Sequence, residues 1–94
     1  MSLANDVKTT NEVRQEVINW LPEMSLSSPI DVINTSTWTA SHGLTVDSNS
    51  KTNSTTTAVI SGGQLGQYCE LVNTVVTTAG YTYTKTIIME ITPT

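Results

Sequence analysis

The chain has 94 residues and a formal net charge of −4, with 37% of residues hydrophobic and only 13% charged. That length holds one domain with a thin core and excludes a second domain built around a cofactor. The four basic residues, Lys8, Arg14, Lys51 and Lys85, are scattered along the chain, which excludes the basic stripe that nucleic acid or an anionic membrane needs.

Polarity comes instead from Thr, Ser and Asn. Threonine alone is about a fifth of the chain, and it is a β-branched strand former. The first residues, Met1 to Val7, have neither a basic n-region nor an apolar h-region, so no signal peptide is expected. No apolar run reaches the length of a membrane span. The lone Cys69 leaves no internal disulfide, in keeping with a reducing cytoplasm.

Residues 1–11 are polar and aperiodic and read as a flexible N-terminal arm, leaving a single domain over 12–94. From Glu12 to Trp20 the pattern is ambiguous. Val13, Val17 and Trp20 fit a helical spacing, whereas Val13, Gln15 and Val17 fit a strand. The strand-rich remainder favours a first strand ending at Leu21-Pro22. Ser27-Ser28-Pro29 is a turn signal. Beyond it Ile30, Val32, Ser36 and Trp38 share one alternating face, and Thr35, Thr37 and Thr39 the other, as in a half-buried strand. Ser41-His42-Gly43 is a turn, Leu44 to Val46 a short strand, and Asp47 to Ser54 a mobile loop. Thr55 to Ser61 is a strand, followed by a Gly-rich turn at residues 62–66.

Tyr68 to Thr78 and Tyr81 to Thr92 form a long hairpin about Ala79-Gly80. A symmetric two- or four-residue loop pairs Val76 with Tyr83, Val72 with Ile87 and Tyr68 with Ile91 in the core. It sets Leu71 opposite Ile88 on the outer face, beside Val75. The trio Leu71, Val75 and Ile88 is therefore the candidate protein interface, as a small apolar patch on a polar face. Six or seven short strands with regular turns describe an all-β, antiparallel β-sandwich of immunoglobulin-like type.

No catalytic, cofactor or metal site is expected. The Gly-rich turn lacks the Lys-Ser/Thr of a phosphate loop and precedes a strand. His42 is the only histidine, too few for zinc without clustered partners, and Cys69 can meet it only across the fold. Asp47-Ser48-Asn49-Ser50 lacks the later ligands of a calcium loop. Asn34 and Asn53 are formal glycosylation acceptors of the sort a Thr-rich chain produces by chance. Trp20 and Trp38 fit core anchors better than a sugar-stacking platform. Tyr68, opening a late strand after a Gly turn, sits where sandwich domains carry a tyrosine corner, a structural role.

Several segments together carry a family resemblance. They are Asn11-Glu12-Val13, Ile18-Asn19-Trp20, Ser36-Thr37-Trp38-Thr39, Gly43-Leu44-Thr45-Val46, Thr57 through Gly63, Leu65-Gly66-Gln67-Tyr68, Val72 through Tyr81, and Lys85-Thr86-Ile87-Ile88. In these the chain resembles the small immunoglobulin-like tail adaptors of phages and prophages, the fiber–tail or head–tail adaptors. Tyr81 and Glu70 depart from the residues usual in that family. The resemblance implies a first strand before Trp20 and a non-enzymatic virion component. Its expected partners are other tail, neck or fiber proteins and further copies of itself. Its expected location is the host bacterial cytoplasm during assembly and then the virion tail. The alternative is a carbohydrate- or surface-binding β-sandwich module of a bacterial adhesin or enzyme.

Overall fold

The computed structural model describes residues 2–26 and 30–93, so the turn expected at 27–29 lies outside the described residues. In chain order the elements are β1 (Ser2–Thr9), β2 (Arg14–Asn19), a single helical turn α1 (Leu21–Met24), β3 (Ile33–Ala40), β4 (Leu44–Lys51), β5 (Thr55–Gly62), β6 (Tyr68–Thr77) and β7 (Thr82–Thr92). One sheet has the order β1-β7-β6-β3 and the other β2-β5-β4. All neighbours are antiparallel except β1 and β7, which run parallel. Strands 3, 6 and 7 facing strands 2, 5 and 4 is the immunoglobulin order, CFG against BED.

The core lies between the sheets. Ile18, Ala58 and Ile60 face Leu71, Val75, Ile87 and Met89, and Trp20 and Met24 are buried with them. The outer face of the four-stranded sheet carries the polar half of the alternation, including Thr35, Thr37 and Thr39 on β3. Inside the core one polar group is fully satisfied. Asn73 Oδ1 accepts from Trp20 Nε1 at 3.0 Å and from the Thr56 hydroxyl at 2.6 Å, while its Nδ2 donates to Ser36 Oγ at 2.9 Å and to the Thr37 carbonyl at 3.0 Å. These bonds tie β3 and β6 to β5 and to the end of β2, so they set how one sheet sits on the other.

Three expectations need correction. Residues 2–9 are not a loose arm: they form β1 on the edge of β7, with Asp6 paired to Met89 and Lys8 to Ile91. Residues 47–51 are not a loop: β4 continues through them, pairing Ser48 with Val59 and Ser50 with Thr57 after a bulge at Asp47. Their polar composition suits an edge strand, whose side chains are mostly solvated while the backbone ladder holds it in place.

The third correction concerns the long hairpin. The observed pairs are Leu71 with Ile87, Val75 with Tyr83, and Glu70 with Ile88. The connection is an odd, three-residue loop: the Thr77 amide bonds the Tyr81 carbonyl at 2.8 Å, and Gly80 takes φ +93°. A left-handed Gly ending such a loop adds one residue to the turn. The register therefore slips by one against the symmetric expectation, and a slip of one turns a whole strand over. β7 keeps its expected core face, with Ile87 and Ile91 inward, while β6 is reversed and buries Cys69, Leu71, Asn73, Val75 and Thr77.

Candidate interaction surfaces

That reversal removes the expected interface. Leu71 and Val75 are fully buried, and only Ile88 of the trio lies on the outer face, half-buried and paired with Glu70. Tyr68 is corrected by the same slip. It stands 57% exposed and pairs with Glu90, so its ring does not pack in the corner expected of it. Trp20 and Trp38 are both buried, so neither offers a face to a sugar, and the stacking platform of the alternative reading is absent at these positions. Cys69 is a buried free thiol whose Sγ lies 3.5 Å from the His42 backbone carbonyl, while the His42 ring contacts Ser41. The thiol and the imidazole are not paired.

Exposed apolar side chains gather elsewhere. The β2–β3, β4–β5 and β6–β7 connections share one pole of the sandwich, the end that carries the B–C and F–G loops in immunoglobulin domains. The local chemistry explains why they stay together. Trp20 precedes the α1 turn and receives the Glu23 and Met24 amides on its carbonyl, so Met24 turns inward and Leu21 outward. Lys85 Nζ lies 4.6 Å from the centre of the Trp20 ring and 3.1 Å from Glu23, which fixes the helical turn over the core.

Asp31 joins this connection to the β6–β7 turn. Its carboxylate accepts from the Thr78 hydroxyl at 2.8 Å, the Ala79 amide at 3.3 Å and the Val32 amide at 2.9 Å. Hydrogen bonds to the charged form, the largest from Thr77, hold Asp31 below the ordinary carboxylate range. On this braced pole Leu21, Leu26, Ile30 and Tyr81 are 46%, 78%, 60% and 56% exposed. The charges nearby are committed within the chain, Glu23 to Lys85 and Asp31 to the turn. Large apolar groups exposed together with few free charges are what marks a protein-binding surface.

A second cluster closes the long side of the sandwich where β1 and β2 form neighbouring edges of the two sheets. Arg14 Nη2 lies 3.2 Å from Asp6 and its Nε 3.6 Å from Glu12, while Nη1 donates to the Val7 carbonyl on β1. The carboxyls of Asp6 and Glu16 lie close enough to shift one another's titration. Desolvation first, and then contact with Asp6, push Glu16 up to about 7. The hydrogen bond from Glu16 is the largest influence holding Asp6 down. Nearby, the buried Lys8 ammonium donates to the Gly62 carbonyl at 2.6 Å and the Thr9 carbonyl at 2.8 Å, joining β1 to β5. None of these residues was singled out by the sequence pattern, because inward charges on an edge strand invert the usual alternation.

The fold is an immunoglobulin-like β-sandwich with exposed apolar side chains at its loop pole. The chain belongs to the podophage GP4 fiber-tail adaptor family, whose model, described as podophage GP4 fiber-tail adaptor protein gp77, matches residues 8–90. The match runs from Lys8 in β1 to Glu90 in β7 and takes in every strand between them. The family is one of structural proteins of the phage tail. Among curated proteins, none matches the chain.

Proposed function

We propose that this chain is a non-catalytic adaptor that joins a fiber protein to the tail of a podophage, and that it docks through the loop pole. The observation that carries the docking site is the set Leu21, Leu26, Ile30 and Tyr81, large apolar groups exposed on loops that Asp31 and Lys85 hold in place. Family membership supports the partners: an adaptor between fiber and tail must present two surfaces to two proteins. The long body, 46 × 21 × 15 Å, has poles far enough apart to do so. The opposite pole carries Leu65 and Tyr68, both exposed, as the second contact. Assembly takes place in the host bacterial cytoplasm, and several copies follow the symmetry of the tail.

Co-expression with the fiber and tail proteins of the same phage genome tests this reading. A ternary complex that is lost when this chain is omitted is the expected result, read by size-exclusion chromatography with light scattering. Fiber and tail proteins that assemble equally well without it would overturn the adaptor role.

A further inference from the structure

Strand β1 is attached on two sides. Its backbone pairs in parallel with β7, and its side chains meet β2 through Asp6. The second attachment has an uneven charge. Asp6 from β1, Glu12 from the β1–β2 connection and Glu16 from β2 bring three carboxyls to one cation, Arg14. Strand β5, which pairs with β2, contributes no titratable residue, and Glu90 of β7 pairs with Val7, on the opposite face of β1. Lys8 is directed to backbone carbonyls.

Glu16 Oε1 is buried, and no hydrogen bond reaches it from any described donor. A carboxylate oxygen in that position, against another carboxylate, is satisfied only if one of the pair carries a proton. An O–H from Glu16 to Asp6 is the one arrangement of the two carboxyls that turns their repulsion into a bond.

We propose that Asp6, Arg14 and Glu16 form a proton-dependent latch on strand β1, closed while one proton bridges the two carboxyls and loosened when that proton leaves. The balance is simple: Glu16 releases one proton to solvent, no covalent bond changes, and two anions then face each other across the gap between the sheets. Loosening β1 leaves the outer ladder of β7 unpaired, since β1 is what covers that edge.

The direction follows from the two protonation states. Glu16 is held near 7 in the closed form and returns to its ordinary range, near 4.5, when β1 leaves. The attachment is therefore strongest at low pH and weakens as pH rises between those values and through the upper one. Opening of β1 should increase up to about tenfold between pH 6 and pH 8.5.

Amide hydrogen exchange of residues 6–9 measures this, with protection expressed against intrinsic exchange and against β6 in the same molecule. The wild-type chain is expected to lose protection in β1 alone over that range. Glu16→Gln can donate an N–H to Asp6 without titrating, so β1 should stay protected at pH 8.5. Asp6→Asn removes the facing anion but not the burial of Glu16, so the step should move down from its wild-type position while staying above the ordinary carboxylate range. A flat wild-type profile would overturn the proposal, as would the same step surviving in Glu16→Gln. If Glu16→Gln does not fold, an unmoved step in Asp6→Asn overturns it.

Discussion

Asn73 has both amide positions filled inside the core, and its partners depend on it as much as it depends on them. Asn73→Ala leaves the Thr56 and Ser36 hydroxyls each short of a partner and weakens the bonding of Trp20. Such losses cost about 1–3 kcal/mol for each buried group left unsatisfied, so urea unfolding should show a clear fall in midpoint. Tyr68 makes the opposite case. It is exposed, so Tyr68→Phe should leave the midpoint unchanged within about 0.5 kcal/mol. Gly63 sits at φ +105°, and a Cβ there would come within 2.6 Å of Ile91 Cδ1, whereas at Gly66 nothing lies within 4 Å. Gly63→Ala should cost roughly 1–3 kcal/mol and Gly66→Ala about 1 kcal/mol, from the left-handed backbone alone.

At the scale of the element, the β6–β7 hairpin decides which side chains are core. Leu71→Thr should destabilise by about 2–4 kcal/mol, because it hollows the core and buries a hydroxyl. Ile88→Thr, on the outer face, should cost about 1 kcal/mol or less. Equal effects would contradict the observed register. Both strands were legible in the sequence, from their β-branched runs and the Ala-Gly turn, but the register was not. β6 carries Val72 and Val76 outward and Asn73 and Thr77 inward, so apolarity does not distinguish its faces, and only the loop parity does. β1 was hidden for a related reason. Its inward residues are Asp6 and Lys8, and its ladder partner lies at the far end of the chain. The second half of β4 has the composition of a turn, and it is a strand because β5 supplies the ladder. The Gly-rich turn after β5, the two buried tryptophans and the sandwich class were all readable. The loop pole was not, because Ile30 fits the alternation of β3 and reads as core, although it lies beyond the strand and is exposed.

For the whole molecule, opposed titrations shape stability: Asp6 and Asp31 are held low and Glu16 high. Asp31 is held low, so its contribution is present above pH 3.8 and is lost as pH falls through its lowered value. Glu16 is held high, so its contribution is complete below 4.5 and is lost as pH rises through about 7. Urea midpoints should therefore peak at about pH 4 to 5 and decline modestly towards pH 8. A steady rise from pH 4.5 to pH 8 would contradict the assignment of Glu16.

The proposed adaptor function rests on the loop pole. The most direct test is the affinity of the chain for its tail and fiber partners, measured by titration calorimetry with the wild type and with Leu26→Asp combined with Ile30→Asp. Both residues are exposed, so the double variant should keep its unfolding midpoint. It should lose one partner by at least about tenfold, the effect of removing a central apolar contact, while binding the other unchanged. Undiminished affinity for both partners, with the fold intact, would contradict docking through this pole.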